Sequence, residues 1–102
     1  MVMVDSSPHY YDIGDRVHLT AKFSIGGTYT DPTAVVCKVK DPSNHIDIYT
    51  LALAQVTKDA TGKYSKDISI DEEGEWFYRW EGTGAVEAAE DSNLIAEVSE
   101  FF

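Results

Sequence analysis

The densest group of reactive side chains in this 102-residue chain is a run of carboxylates. Asp71, Glu72, Glu73 and Glu75 lie in one short segment, and carboxylate oxygens are the ligands that hard cations prefer. Their spacing lacks the alternating ligand positions of calcium-binding loops, so it predicts a solvated turn. The histidines lie in separate segments without the spacing of zinc ligands: His9, His18 and His45. No metal and no other cofactor is therefore expected.

The single cysteine, Cys37, is the one candidate thiol nucleophile. It alternates with lysines, and this pattern places it inward together with Val35 and Val39. A buried, unreactive thiol is therefore expected, and no intrachain disulfide can form. Such a chain fits synthesis in a reducing cytoplasm. Because a nucleophile elbow, a phosphate loop and a dinucleotide fingerprint are also missing, the sequence predicts a protein that is not an enzyme.

Alternating aromatic residues form the other notable constellation. Trp76, Tyr78 and Trp80 share one face of a predicted strand, where they either pack in a core or offer a stacking platform for sugar rings. The strict alternation after a tight turn favours the core. Phe77 and Arg79 then lie on the opposite face and are candidates for a contact surface, because aromatic residues and arginine are enriched at interfaces.

Charge limits the classes of partner. The net charge is −10, and residues 71–102 carry ten acidic side chains against a single basic one, Arg79. Nucleic acid is not an expected partner, because phosphate binding requires a basic patch. A membrane span is not expected either, because no apolar run approaches about 20 residues, and the first five residues lack the features of a secretory signal. The acidic end serves solubility or docks onto a basic surface.

The elements that position these residues are short strands. Turn signals rich in Gly, Pro, Asp and Asn recur along the chain at the spacing that is typical of all-β sandwiches or barrels. Between them, apolar and polar residues alternate over 16–24, 34–40, 46–53, 63–70, 75–81 and 93–99. Such alternation predicts two antiparallel sheets with a wet outer face around one core. The expected core residues are Val17, Leu19, Phe23, Val35, Cys37, Val39, Tyr64, Ile68, Trp76, Tyr78 and Trp80.

The remaining segments complete the domain organisation. Residues 85–91 combine Ala with Glu and are interpreted as an acidic loop, with or without a helical turn, before the last strand. Residues 1–8 have no hydrophobic period and predict a flexible N-terminal arm, and residues 9–99 form the domain. Residues 100–102 are an aromatic tail that either packs over the chain's own sandwich or anchors a neighbour; its candidate contact residues are Glu100, Phe101 and Phe102.

Four segments of the chain, in the order 11–21, 31–43, 61–64 and 74–84, carry a family resemblance. Through them the chain resembles small immunoglobulin-like proteins that tailed bacteriophages encode among their structural genes. The resemblance implies an immunoglobulin-like antiparallel β-sandwich of about seven strands. It also implies a virion protein, made in the cytoplasm of the host bacterium, that docks in symmetric copies onto capsid, neck or tail subunits. An alternative class is a carbohydrate or host-surface binding module that uses exposed aromatic residues.

Overall fold

A computed structural model describes the backbone of residues 2–4 and all atoms of residues 10–97. These residues form ten strands, and within them no helix is long and apolar enough to cross a membrane. The strands are β1 (Val2–Val4), β2 (Tyr10–Asp12), β3 (Arg16–Ile25), β4 (Thr28–Tyr29), β5 (Ala34–Lys40), β6 (Ile46–Thr50), β7 (Thr57–Ala60), β8 (Lys63–Ser69), β9 (Gly74–Thr83) and β10 (Ala88–Glu97).

The strands form two sheets of five. The first has the order β1-β3-β8-β7, with β4 also paired to β3, and the second has the order β2-β10-β9-β5-β6. Consecutive strands joined by tight turns pair antiparallel, as β9 and β10 do. The expectation that every pair is antiparallel is wrong for β2, which runs parallel to β10. No hairpin joins these two strands, so a tight turn does not set their relative direction.

One hydrophobic core lies between the sheets. Strict alternation along β3 and β9 turns every second side chain inward, and Trp80 and Phe23 are completely buried there. All eleven side chains that the alternation assigned to the core are at most 7% exposed. Val56, Val86 and Ile70 also belong to this core, although Val56 and Val86 lie in segments where the sequence shows no alternation.

The last strand begins earlier than the sequence indicates. The segment 85–91 was expected to be an acidic loop, but Ala88 already belongs to β10 and pairs with Gly82. This part of the expectation is wrong because pairing with β9 outweighs the local helix preference of Ala and Glu. Asp91 is held there by the guanidinium of Arg79, whose Nη1 donates to Oδ1 at 2.8 Å.

Strand β6 ends earlier than its apolar pattern predicts. It stops at Thr50 instead of continuing to Leu53. The chain then turns: the Ala54 N–H donates to the Leu51 carbonyl and the Gln55 N–H donates to the Thr50 carbonyl, both at 3.0 Å. Ala54 has a φ of 58° at this turn. Consequently Leu53 is 71% exposed on a turn and does not belong to a strand.

The predicted N-terminal arm contains strand β1, whose backbone pairs antiparallel with β3 through Val2 opposite Phe23. The apolar, partly β-branched composition of residues 2–4 suits such pairing. The other residues of the arm lie outside the described part of the chain. The same holds for the predicted aromatic tail with Glu100, Phe101 and Phe102.

Asp31 ties the loop before β5 to the β7–β8 hairpin. Its carboxylate accepts hydrogen bonds from Lys58 Nζ (2.7 Å), from the Gly62 N–H (2.7 Å) and from the Tyr64 hydroxyl (3.0 Å). These donors favour the ionised form, and they lower the pKa of Asp31 to about 2, with Lys58 contributing most. Burial, reinforced by this hydrogen bond, raises the pKa of Tyr64 to about 12. Asp31 therefore stays ionised and Tyr64 stays protonated at neutral pH.

We expect Asp31→Asn to destabilise the protein near neutral pH and to have little effect near pH 2. The folded-state pKa of about 2 lies below the ordinary value of 3.8 for an aspartate. The carboxylate therefore contributes stability that is fully present above about pH 4 and is lost as the pH falls through about 2. Urea unfolding of wild type and of Asp31→Asn across this pH range measures whether their free energies of unfolding become equal at low pH. Asp59→Asn, at an exposed position on β7, is the matched control. A difference in free energy of unfolding between wild type and Asp31→Asn that does not change with pH would contradict the low pKa of Asp31.

Candidate functional site

The outer face of the second sheet carries the side chains that point away from the core. Phe77 and Arg79 alternate along β9 with the buried Trp76, Tyr78 and Trp80. On β5, Lys38 and Lys40 alternate in the same way with Cys37 and Val39. Together with two isoleucines of β6 they form what we call the outer-face patch, which consists of Lys38, Lys40, Ile46, Ile48, Phe77 and Arg79.

Strand register brings the patch together in two rows. Lys40 lies between Ile46 of β6 and Phe77 of β9, and Lys38 lies between Ile48 and Arg79. Three of its side chains are large and apolar yet about half exposed: Ile46 at 54%, Ile48 at 55% and Phe77 at 46%. A shallow groove of about 340 Å³ runs over Ile46 and Phe77, with Lys38, Lys40, Arg79 and Asp91 at its sides. The patch thus combines exposed apolar surface with three cations.

Two of the three cations are already paired within the sheet. Glu81 Oε2 accepts from Lys38 Nζ at 2.9 Å and from Arg79 Nε at 3.0 Å, and Arg79 also contacts Asp91. Lys38 and, to a lesser extent, Arg79 lower the pKa of Glu81, while the carboxylates of Asp91 and Glu81 raise the pKa of Arg79. Lys40 makes no ion pair with any carboxylate among the described residues. It is the cation of the patch that is free to meet a partner.

The aromatic row on the inner face of β9 is not available as a sugar platform. Trp76 and Tyr78 are 6% exposed and Trp80 is completely buried. Trp76 Nε1 donates to the Glu72 carbonyl at 3.1 Å. Among the described residues, the exposed aromatic side chains lie on separate strands, with Tyr10 on β2, Tyr29 on β4 and Phe77 on β9. Of these three, Phe77 belongs to a larger apolar patch.

The carboxylates and histidines that invited a metal interpretation are engaged in other contacts or lie apart. Glu72 accepts a hydrogen bond from the Ser43 hydroxyl. His18 Nδ1 lies 2.6 Å from Asp67 Oδ1, and His45 Nε2 lies 3.0 Å from Asp47 Oδ1. Within the described ranges no group of three or more His, Cys, Asp or Glu side chains is arranged to hold a metal ion; His9 lies outside these ranges.

Cys37 is buried on the inner face of β5, opposite Trp80 on the neighbouring strand β9. Burial disfavours the thiolate and raises the pKa of Cys37 to about 12. Because the thiolate is the nucleophilic form of cysteine, burial makes this side chain a poor nucleophile at neutral pH.

The isoleucines of the patch were not recognisable as site residues from the sequence. Residues 46–51 place apolar side chains on both faces of the strand, with Ile46 and Ile48 on one and Tyr49 and Leu51 on the other. The structure packs Tyr49 and Leu51 against the core and leaves the isoleucines outside. The available signal was the two-sided apolar pattern itself, because a strand of a sandwich with a wet outer face buries only one of its two faces.

Comparison with known proteins supports the fold. No protein-family model matches the chain, and no curated protein matches it. Among solved structures, a DUF4785 family protein from Legionella pneumophila is similar, with a TM-score of 0.68 over 95% of this chain and a sequence identity of 16%. The chain spans 28% of the length of that protein. At this identity the similarity shows a shared fold of two β-sheets and carries no family or activity with it.

Proposed function

We propose that this chain is a non-enzymatic docking module with an immunoglobulin-like fold, and that it serves as a structural component of a tailed-phage virion. In this role it attaches to capsid, head–tail junction or tail subunits, in symmetric copies. The observation that carries the docking function is the outer-face patch. The virion role rests on the resemblance of the four sequence segments to small phage structural proteins.

Strand order supports the immunoglobulin-like type. In that fold, strands A, B, E and D form one sheet and strands C, F and G form the other. Here β1-β3-β8-β7 follows the order A-B-E-D, and β10-β9-β5 follows G-F-C. Strand β6 extends the second sheet in the position of the additional strand of variable-type domains. The parallel strand β2 at the other edge is an addition to this scheme.

The patch has the composition of a docking surface. Ile46, Ile48 and Phe77 are each about half exposed within one face, whereas apolar side chains scattered singly over a surface need no explanation. Aromatic side chains and arginine are enriched where proteins meet. Burial of the Phe77 ring against a partner would remove apolar surface from water, and Lys40 would gain an ion pair, which it does not make with any of the described residues.

We expect Phe77→Asp to lower the number of copies on assembled particles by about tenfold or more, because a charge would replace the central apolar contact. The measurement is quantitative mass spectrometry of purified virions, with cryo-EM to locate the protein. Leu53→Asp is the matched control, since Leu53 is more exposed than Phe77 but lies on a turn outside the patch. Circular dichroism and thermal unfolding of both variants verify that they fold.

The outcomes separate the two parts of the proposal. If the wild-type protein is missing from particles, the virion role is wrong. If Phe77→Asp is incorporated as well as wild type, the outer-face patch is not the docking surface, although the virion role stands.

A further inference from the structure

The open edge of β6 differs from the edges formed by β2 and β7. Natural proteins protect edge strands by keeping them short, by charging them or by interrupting them with bulges. Strand β7 carries Lys58 and Asp59, and its register with β8 shifts between Lys58 and Ala60; strand β2 has three residues. Strand β6 has five residues, a single charged side chain, Asp47, and two isoleucines more than half exposed. It is the longest of these three edges and the one with the two exposed isoleucines.

The backbone of β6 offers unused hydrogen-bonding groups on this edge. The Asp41 N–H donates to the His45 carbonyl, and the Leu51 N–H donates to the Val35 carbonyl. Hydrogen-bonded pairs alternate along an antiparallel ladder, so within β6 the backbone groups of Asp47 and Tyr49 point toward β5. Those of Ile46 and Ile48 therefore point outward. No strand of the described chain pairs with them.

Thr50 closes one end of this edge. Its carbonyl accepts from the Gln55 N–H at 3.0 Å, and its own N–H donates to the Gln55 side chain at 3.2 Å. The accessible edge thus consists of the N–H and C=O groups of Ile46 and Ile48. In an extended strand, the backbone groups that face one side recur at every second residue. Ile46 and Ile48 have this spacing, so they can pair with an extended segment that adds to the sheet as a further strand.

The two faces beside this edge differ in chemistry. On the outer face, Ile46 and Ile48 continue the apolar surface that begins at Phe77. On the other face, Asp47 borders a cleft of about 330 Å³ whose charged lining residues are all aspartates: Asp41, Asp47, Asp67 and Asp71. Among its described lining residues there is no lysine or arginine. Two of these carboxylates contact histidines, since His18 Nδ1 lies 2.6 Å from Asp67 Oδ1 and His45 Nε2 lies 3.0 Å from Asp47 Oδ1. Lys66 lies beside the lining residue Tyr49, with its Nζ 4.2 Å from the ring centre.

We propose that β6 accepts an extended segment of a partner protein as an added strand, and that this segment alternates apolar with basic side chains. Its apolar residues would pack beside Ile46 and Ile48, and its basic residues would lie on the side of Asp47 and the aspartate cleft. Side chains of adjacent strands that share a face are neighbours, so the alternation of β6 itself selects this pattern. The inference rests on the proposed docking function and specifies the partner of the same face.

Charge argues for a foreign segment instead of a second copy of β6. Two β6 strands side by side would bring the acidic faces of two chains together, and each chain carries a net charge of −10. Like charges directly opposite one another destabilise a strand pair. A basic segment is attracted by the same charges, because complementary potentials speed association and suppress wrong partners.

The test uses the peptide Lys-Val-Lys-Val-Lys-Val-Lys with capped ends and its counterpart in which glutamate replaces every lysine. Binding to the full chain is measured by NMR titration, and amide exchange is followed in the complex. We expect the lysine peptide to bind about tenfold or more tightly than the glutamate peptide. The amides of Ile46 and Ile48 should become protected on binding, whereas those of Asp47 and Tyr49 are already paired with β5.

Two substitutions test the backbone and the charge separately. Ile48→Pro removes the outward N–H without removing a bond to β5, as proline is tolerated on edge strands in this orientation. It should weaken lysine-peptide binding by about tenfold, whereas Ile48→Val should leave it within about twofold. Asp47→Lys should shift the preference toward the glutamate peptide by about tenfold, and Asp59→Lys on β7, the edge of the other sheet, should not.

Each outcome decides the matter. Equal binding of the lysine peptide to wild type and Ile48→Pro, or protection of amides other than those of Ile46 and Ile48, would show nonspecific attraction to an acidic protein and would overturn strand addition. Strand addition is also overturned if neither peptide binds. In these cases a loss of particle incorporation by Phe77→Asp would still support docking through the outer face, so the two proposals fail independently.

Discussion

Replacement of Trp80 by alanine is expected to lower the free energy of unfolding by about 3–5 kcal/mol. Trp80 is completely buried and is the largest of the fully buried side chains of the core. It lies on β9, the strand that pairs with both β5 and β10, so its ring packs at the middle of the second sheet. Alanine at this position would leave a cavity that neighbouring strands cannot close without breaking their register. Equilibrium urea unfolding measures the loss as a lower midpoint at unchanged slope.

The control for this prediction is Trp80→Phe. Within the described chain, the indole N–H of Trp80 has no hydrogen-bond partner, and a buried unpaired donor is itself unfavourable. Phenylalanine keeps most of the ring volume and removes that donor, so we expect a smaller loss of about 1–2 kcal/mol. If Trp80→Phe costs as much as Trp80→Ala, the indole N–H makes a hydrogen bond in the folded protein and packing is not the dominant contribution.

The second large effect is expected for Gly62→Ala, at about 3 kcal/mol of lost stability. Gly62 has a φ of 71°, in the left-handed region that side chains disfavour. A Cβ there would lie 2.6 Å from the Phe23 carbonyl oxygen and 2.9 Å from the Thr30 nitrogen. Both obstacles are backbone atoms, and the Thr30 N–H donates to that same carbonyl. The turn, the β3–β4 hairpin and the Asp31 contacts would therefore have to shift together.

Gly27→Ala separates the two causes. Gly27 has a comparable φ of 84°, but a Cβ there would meet nothing within 4 Å. Its substitution should cost only the conformational preference, about 1 kcal/mol. Thermal and urea unfolding of the two variants measure the difference. Equal losses of stability in the two variants would mean that the backbone crowding at Gly62 is relieved at no cost in stability.

Several features of the fold could be predicted from local pattern alone. Strict alternation around Trp76, Tyr78 and Trp80 determined which side chains point inward, because successive side chains of a strand lie on opposite faces. The same rule placed Phe77 and Arg79 on the outer face. For Cys37, alternation with lysines sufficed to predict a buried thiol.

Other features depend on which strands become neighbours. Residues 88–91 have a local preference for helix but pair with residues 79–82 of β9 in the sheet. Pairing over all four residues outweighs that local preference. The direction of β2 has the same origin, because it is decided by a partner at the far end of the chain.

By itself, the sequence determined the all-β class, the inward and outward faces of the regular strands, the absence of a disulfide and the acidic charge. These properties follow from side-chain chemistry and from a period of two, which are local. The tertiary structure alone decided that Ile46 and Ile48 stay outside, next to Phe77 and Lys40, and that four aspartates from two segments, residues 41–47 and 67–71, line one cleft. Residues distant in sequence meet only through strand register and sheet packing. Because β6 has apolar side chains on both faces, the strands beside it determine which of the two faces is buried.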